Sequence, residues 1–347
     1  MIRLRRIRVR GYIRMQVLIV NHREVQQWLP MSECMDVMAE TLKTLSRGDA
    51  VNPLRHAMWL PDKSGLIGMM PAYLGDTEVM GLKAISVFPG NHTTDYDSHQ
   101  GTVMLFETVN GRLLAMMDAG KITAIRTAAV SGVATRLLAR KDANRLAILG
   151  SGVQAQTHLE AMQIACNLSS VRIWSQHFDH ARKFADQASA AHGIPVTAVD
   201  SVKEAVAGVD IICTVTSATE PILRGDWISP GTHINAVGSS VAFARELDTA
   251  AVVNSTLFVD RRESTLNEAG DFLFPKKEGA IGDDHIRGEI GDILVGNTGG
   301  RESSQEITLF KSLGLAAEDV ASAHYIYQKL SKNEAGTWVE FNALKSE

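Results

Sequence analysis

The sequence predicts an α/β protein built on a doubly wound parallel sheet, with a second, α+β domain formed by the N-terminal part of the chain and a returning C-terminal helix. Three observations predict it. From Leu146 onward, short continuously apolar runs alternate with helical stretches at the pitch of parallel strands joined by crossover helices. Between residues 67 and 109 the runs are valine-rich and broken by Pro71, Gly75, Pro89-Gly90 and the hairpin dipeptide Asn110-Gly111, the pattern of an antiparallel sheet. Near the C-terminus Val320, Ala323, Ile326 and Leu330 share one helical stripe, and the N-terminal sheet lacks enough helices of its own to cover it. A chain of 347 residues is long enough for two domains.

Taken in order, the first fourteen residues hold six arginines and no acid. They lack the apolar core of a secretory signal and the serines of a transit peptide, so the expectation is a basic leader over 1–14, disordered or non-native, with Met15 opening the domain. Over 30–48, Cys34, Met38, Leu42 and Leu45 recur at helical spacing and Gly48 supplies a stop. After the antiparallel region, the Ala-rich stretch beyond Lys121 reads as a long helix. Strands are expected at 146–149, 171–174, 195–199, 210–215, 232–237 and 257–260. Ser201 with Glu204 and Thr265 with Glu268 have the spacing of capping boxes, each opening a helix. The domains are then 15–125 with 318–347, for substrate and dimerisation, and 126–317, for a dinucleotide.

Composition narrows the function classes. With 45% hydrophobic and 21% charged residues the chain is neither disordered nor membrane-embedded, and no run is long and apolar enough to span a bilayer. Beyond the leader, 29 basic residues face 39 acidic ones, a net of −10. So acidic a body makes nucleic acid an unfavourable partner. Cys34, Cys166 and Cys213 are odd in number and far apart, which signals neither a disulfide framework nor a zinc site, and the cytoplasm is the default compartment. No His and Cys set has metal-ligand spacing and no G-x-S-x-G elbow occurs, so neither a metal centre nor a serine hydrolase is expected.

The run Gly150-Ser151-Gly152-Val153-Gln154-Ala155 follows a predicted strand and opens a predicted helix. Gly150 permits a tight turn, Gly152 lets backbone approach a pyrophosphate, and the small Ala155 seats the helix on the strand. The N–H groups of that helix start would face the phosphates. Any buried strand-to-helix turn favours glycines, but strand, motif, helix and second strand in that order point to a dinucleotide. At the end of the second strand stand Trp174-Ser175-Gln176-His177. A carboxylate there would pair with the ribose of NAD and repel a 2′-phosphate, and none is present, so NADP(H) is favoured over NAD(H).

Three basic residues mark a substrate pole: Arg55 beside a proline turn, Lys83 in VMGLKAISV and Arg126 in ITAIRTAAVS. As a strand, the Lys83 segment is apolar on both faces, and a buried ammonium without an anionic partner is costly. Arg126 stands in an Ala- and Val-rich helix start, where a ligand carboxylate would also feel the helix N-terminus. A surface charge or an internal salt bridge explains each alone, and for Arg55 at least as well; together they can clamp one carboxylate. Asn91, His92, His99 and Gln100 lie near in sequence and read mainly as loop residues.

The segments GLKAISVFPGN, TAIRTAAVSGVATRLLAR, LAILGSGVQAQTHLEA, THINAVGSS…ARELD and ITLFKSLGLAAED resemble those of the ornithine cyclodeaminase/mu-crystallin family, from about Met15 to the last helix. That family includes ornithine cyclodeaminases, alanine dehydrogenases, and ketimine or pyrroline-2-carboxylate reductases. The resemblance implies a Rossmann domain for the cofactor and a homodimer formed through the substrate domain. It implies carboxylate binding by Arg55, Lys83 and Arg126, and cofactor contacts from Thr127, Gly150 to Gln154, Ser175, Thr214, Thr216, Ser217, Val237 and Gly238. Two positions depart from the cyclodeaminase pattern. Ser239-Ser240 replaces the aspartate after the AVG motif, and Gly68 replaces an acid before the Met-Pro pair, leaving an ornithine δ-ammonium without partners. Ser240 resembles the ketimine-reductase side of the family. The expected activity is therefore NAD(P)H-dependent reduction of a small imino acid, with Lys83 and Ser240 as the catalytic candidates and no protein acid strictly required. Ornithine cyclodeamination to proline and ammonia, alanine dehydrogenation, and non-catalytic NADP-dependent ligand binding are the alternatives.

Overall fold

Short apolar runs broken by Pro, Gly and Asn-Gly turns in the first part of the chain, and apolar runs alternating with helices in the second, build two different sheets. The computed structural model describes residues 8–9 and 12–343. In chain order, Arg8–Val9 (β1) turns back on Tyr12–Val20 (β2). His22–Trp28 (α1) follows, its first N–H groups held by the Asn21 side chain while Glu24 answers the Asn21 N–H. Met31–Ser46 (α2) buries Cys34, Met38, Leu42 and Leu45, and the chain leaves it through Gly48 at φ +79°, a left-handed turn that favours glycine. Ala50–Val51 (β3), His56–Trp59 (β4), Leu66–Leu74 (β5), Val79–Val87 (β6), His99–Glu107 (β7) and Leu113–Asp118 (β8) are next, then Ala119–Leu138 (α3). Arg145–Leu149 (β9), Val153–Ala165 (α4), Ser170–Trp174 (β10), Phe178–His192 (α5), Val196–Ala198 (β11), Val202–Val206 (α6), Ile211–Thr214 (β12) and His233–Ala236 (β13) alternate after it. Thr249–Val253 (α7), Thr256–Val259 (β14), Arg262–Glu268 (α8), Gly270–Lys277 (α9), Ile286–Glu289 (β15), Ile290–Val295 (α10), Thr308–Lys311 (β16), Ala316–Lys332 (α11) and Thr337–Ala343 (β17) follow within the described residues.

Two compact units result: residues 1–30, 48–123 and 316–347, and residues 31–47 with 124–315. In the first, a nine-stranded sheet runs β1-β2-β8-β7-β6-β5-β3, with β17 on β2 and β4 on β5. Its β5–β8 meander is antiparallel throughout, and Gly111 at φ +71° makes the turn expected of Asn110-Gly111. Helix α11 lies on one face of this sheet, so closely that a Cβ at Gly81 would meet Val320 Cγ2 at 2.7 Å. That is the crossing-back expected of the C-terminal helix. In the second unit eight strands, all parallel, run β11-β10-β9-β12-β13-β16-β14-β15. Leu146, Ala147, Ile148, Ile212, Ile234 and Phe258 are fully buried in it, which is why β9, β12 and β14 carry continuous apolar runs. The doubly wound α/β class is therefore observed.

Several local expectations are corrected. Helix α3 begins at Ala119, so Arg126 lies two turns inside it and gains nothing from the helix N-terminus. Ser201 caps α6 by accepting from the Glu204 N–H, but Thr265 is interior to α8, where its hydroxyl donates to the Arg261 carbonyl. Strands β15 and β16 and helix α1 were not among the expected elements; β16 is inserted between β13 and β14. Helix α2, expected with the N-terminal domain, groups with the second unit and packs on α10. Of the leader, residues 1–7 and 10–11 lie outside the described residues, and β1 pairs with the start of β2. Among the described residues no helix is long and apolar enough to cross a membrane.

Candidate active site

The C-terminal ends of β9, β10, β12 and β13 carry most of the residues expected to bind a cofactor. Gly150 has φ +121°, and a Cβ on it would stand 2.9 Å from the Val215 carbonyl oxygen, so this turn requires glycine. Gly152 is the N-cap of α4, extended and without a side-chain cap, and the space where its Cβ would be is open. The first N–H groups of α4 therefore face an accessible surface, as an anion site at a helix start requires. Gln154 Oε1 is buried there with no hydrogen-bond partner. Ser151 donates to Ser175 Oγ at 2.9 Å, tying the glycine turn to the end of β10, where Gln176 and His177 are exposed. An open backbone cradle, an orphaned buried amide oxygen and a polar strand end fit a dinucleotide, whose two halves straddle the central strand of such a sheet.

On the other side of β9, the segments after β12 and β13 are fixed by a buried polar network that the sequence did not single out. Glu246, fully buried, accepts from Thr214 Oγ1 at 2.6 Å and from both the N–H and Oγ1 of Thr216, at 2.7 and 2.6 Å. Asp271 accepts from the backbone N–H of Glu246 and Leu247, and Lys311 bridges Asp271 Oδ2 and the Gly238 carbonyl, both at 2.8 Å. Burial, and secondly the charge of Asp271, push the Glu246 carboxyl up to about 7 against the opposing pull of Lys311 and the threonine hydroxyls. Thr214 is buried, Val237 nearly so, and Ser217 exposed. Ser239 holds a left-handed backbone at φ +50° and donates to the Ala218 carbonyl; Ser240, half-buried, follows it.

The substrate candidates fall on both units. In the first, Lys83 is 3% exposed in the middle of β6. Its ammonium pairs with Asp319 of α11 at 2.7 Å and lies 3.5 Å from Thr123 Oγ1. The anion that the buried lysine required is thus internal, and it was missed: Asp319 reads in sequence as an ordinary acid in a helix's first turn. Arg55 is half-buried in the segment leading to β4. Asn91 lies in a turn, whereas His99 and Gln100, expected as loop residues, open β7; Asn91 Nδ2 and Gln100 Nε2 both donate to the Asp97 carbonyl, and His99 Nδ1 lies against Ser98 Oγ. In the second unit Arg126 is 3% exposed beside the nearly buried Thr127. Its guanidinium lies against Gly314, where a Cβ would meet Nη1 at 2.4 Å; the Gly314 and Leu313 N–H groups donate to Asp260. Among the described residues no cluster of three His, Cys, Asp or Glu side chains is placed to hold a metal.

Known proteins share this architecture along nearly the whole chain. Ketimine reductase mu-crystallin of Mus musculus is 41% identical over 287 residues, covering 83% of this chain and 88% of that one. The structure of Thermococcus litoralis Δ1-pyrroline-2-carboxylate reductase in complex with NADH and L-proline superposes with a TM-score of 0.90 at 39% identity, over 92% of this chain and 99% of that one. An archaeal alanine dehydrogenase dimer with bound NAD gives 0.89 at 30% identity, over 94% of this chain and 100% of that one. Residues 15–334 match the profile that defines the ornithine cyclodeaminase/mu-crystallin family, and the chain belongs to that family.

Proposed function

We propose that this protein is an NAD(P)H-dependent imino-acid reductase, which reduces a cyclic or substituted ketimine carboxylate, such as pyrroline-2-carboxylate, to the amino acid. The similarity to reductases of this kind over most of the chain carries the reading, and the glycine turn with its orphaned Gln154 oxygen supports it. When bound, the reduced nicotinamide supplies the hydride for the α-carbon. Arg55, Lys83 and Arg126 bind the substrate carboxylate, and Ser240 hydrogen-bonds the nitrogen side. The ion pair with Asp319 orders the Lys83 side chain, so that little conformational entropy remains to be lost when substrate arrives. Oriented binding then supplies most of the acceleration. The nitrogen either arrives already protonated, as an iminium, or takes its proton from the pocket.

NADPH is the preferred cofactor in this proposal, since Ser175, Gln176 and His177 offer hydrogen-bond partners and no carboxylate at the end of β10. The working form is a homodimer in the cytoplasm. Cyclodeamination is disfavoured because Ser239, Ser240 and Gly68 supply no carboxylate for a second ammonium, while the acids behind the loops, Glu246 and Asp271, are buried and occupied. The test is NADPH oxidation with pyrroline-2-carboxylate, beside ammonia release from L-ornithine. Turnover of the imino acid that falls at least about a hundredfold in Lys83→Ala is expected for loss of a buried charged contact. An inert wild type, or a Lys83→Ala enzyme as active as wild type, ends the proposal.

A further inference from the structure

We propose that Glu246 is a positioning residue of the cofactor site, whose ionised carboxylate locks the turn after β12 onto the Gly238 loop where the nicotinamide half of the dinucleotide binds. The proposal rests on the dinucleotide reading above, but on no particular substrate. Topology supplies the location. With the glycine turn at β9 and the adenosine side at β10, the remaining half of a dinucleotide lies over the ends of β12 and β13, on the opposite side of β9. Glu246 lies directly behind those two ends. A Cβ on Gly238 would come within 2.2 Å of the Thr216 carbonyl oxygen and 2.6 Å of Glu246 Cδ, so the two loops and the carboxylate are in van der Waals register. Gly238 is held from its other side by Lys311.

The charges in this network do not cancel. Lys311 is the single cation among two carboxylates, and it sits on Asp271, which two backbone N–H groups also serve. The excess negative charge falls on Glu246, whose anionic oxygens accept from three donors of the 214–216 turn. Ionised, the carboxylate only accepts, and all three bonds point the same way. Once protonated it must donate through one oxygen, which reverses the Thr214 hydroxyl and weakens the hold on Thr216. A core built for stability alone would be as well served by apolar side chains of similar volume. An acid that titrates near neutrality beneath two cofactor loops instead ties their geometry to its own ionisation.

The test is fluorescence titration of the full-length protein with NADPH and NADH, without imino acid, from about pH 6 to about pH 8.5, the range a carboxyl raised to near neutrality spans. Wild type should bind the dinucleotide several-fold more weakly at the acid end. Glu246→Gln, neutral at every pH and of the same shape, should bind weakly throughout and coincide with wild type's acid limb. Identical profiles for the two proteins, or a wild type with no inflection, overturn the proposal. Should the Gln variant not fold, Thr214→Val decides: loss of one hydroxyl donor to the anion should move the wild-type inflection to higher pH, and an unmoved inflection overturns it. A protein that binds dinucleotide as described yet reduces no imino acid refutes the substrate assignment and leaves this inference standing. A protein that binds neither dinucleotide refutes the cofactor reading itself.

Discussion

Lys83 and Asp319 are both nearly inaccessible, and the consequence is energetic as well as functional. Removing one member strips the other of its ion pair inside a low-dielectric core, which costs about 3–5 kcal/mol, whereas replacing both by apolar side chains of similar size is close to neutral. Asp319→Ala should therefore lower the urea midpoint strongly, and Lys83→Met with Asp319→Leu should restore most of it while remaining inactive. A double variant no more stable than Asp319→Ala would show that the pair is not the dominant interaction of either residue. The lysine was legible in the sequence because an ammonium in a strand with two apolar faces demands an explanation. Its partner was not, since an acid in the first turn of a helix is satisfied by the helix itself and raises no question. Lys311, in the apolar run TLFKSLG, carries the same signal as Lys83 and would have revealed the Glu246 network had it been read the same way.

At the scale of elements, the strands of the parallel sheet were found to within a residue or two wherever a continuous apolar run was bounded by polar turns. Strand β16 escaped because four residues ending in a lysine do not announce a strand. The start of α3 was misplaced because Asp118, whose carboxylate accepts from the Lys121 N–H, was not recognised as the helix opening. One carboxylate also fastens elements together: Asp210, just before β12, accepts from the N–H groups of Asn144 and Arg145 and from the guanidinium groups of Arg140 and Arg145, joining the starts of β9 and β12. Burial by itself would raise its pKa, but the Arg145 side chain and the two N–H groups prevail and hold it at about 2, below its ordinary 3.8. A depressed carboxylate contributes stability that is present above the unfolded value and is lost as pH falls through the folded one. Wild type should accordingly lose about 1–2 kcal/mol between about pH 4.5 and about pH 2 from this residue, discounted because Arg145 is half-exposed. Chemical unfolding across that range should be flatter in Asp210→Asn; a parallel slope would place the acid sensitivity elsewhere.

For the whole molecule, the shortage of helices in the N-terminal half was the informative feature, because a sheet covered on one face only leaves the other to be covered by something else. The structure shows which face that is. Lys83, Gly81, Val79 and Ile85 of β6 turn toward α11, so Met80, Leu82 and Ala84 face away. Across the ladder they align with Tyr73, Pro71 and Met69 of β5 and with Phe106 and Met104 of β7, and Met58 of β4 aligns with Ile67. All of these are at least partly exposed, Met58 by 57% and Met80 by 38%. So broad an apolar surface is unusual on a monomer, and it is the face through which the proposed homodimer would form. Placing charges on the face, in Met58→Glu with Met80→Glu, should leave the parallel sheet folded and turn a dimer into a monomer at micromolar concentration, since burying two unpaired carboxylates per subunit costs several kcal/mol of association free energy. Sedimentation velocity reads the outcome. A wild type that sediments as a monomer, or a double variant that remains dimeric, would mean that this face is covered in some other way.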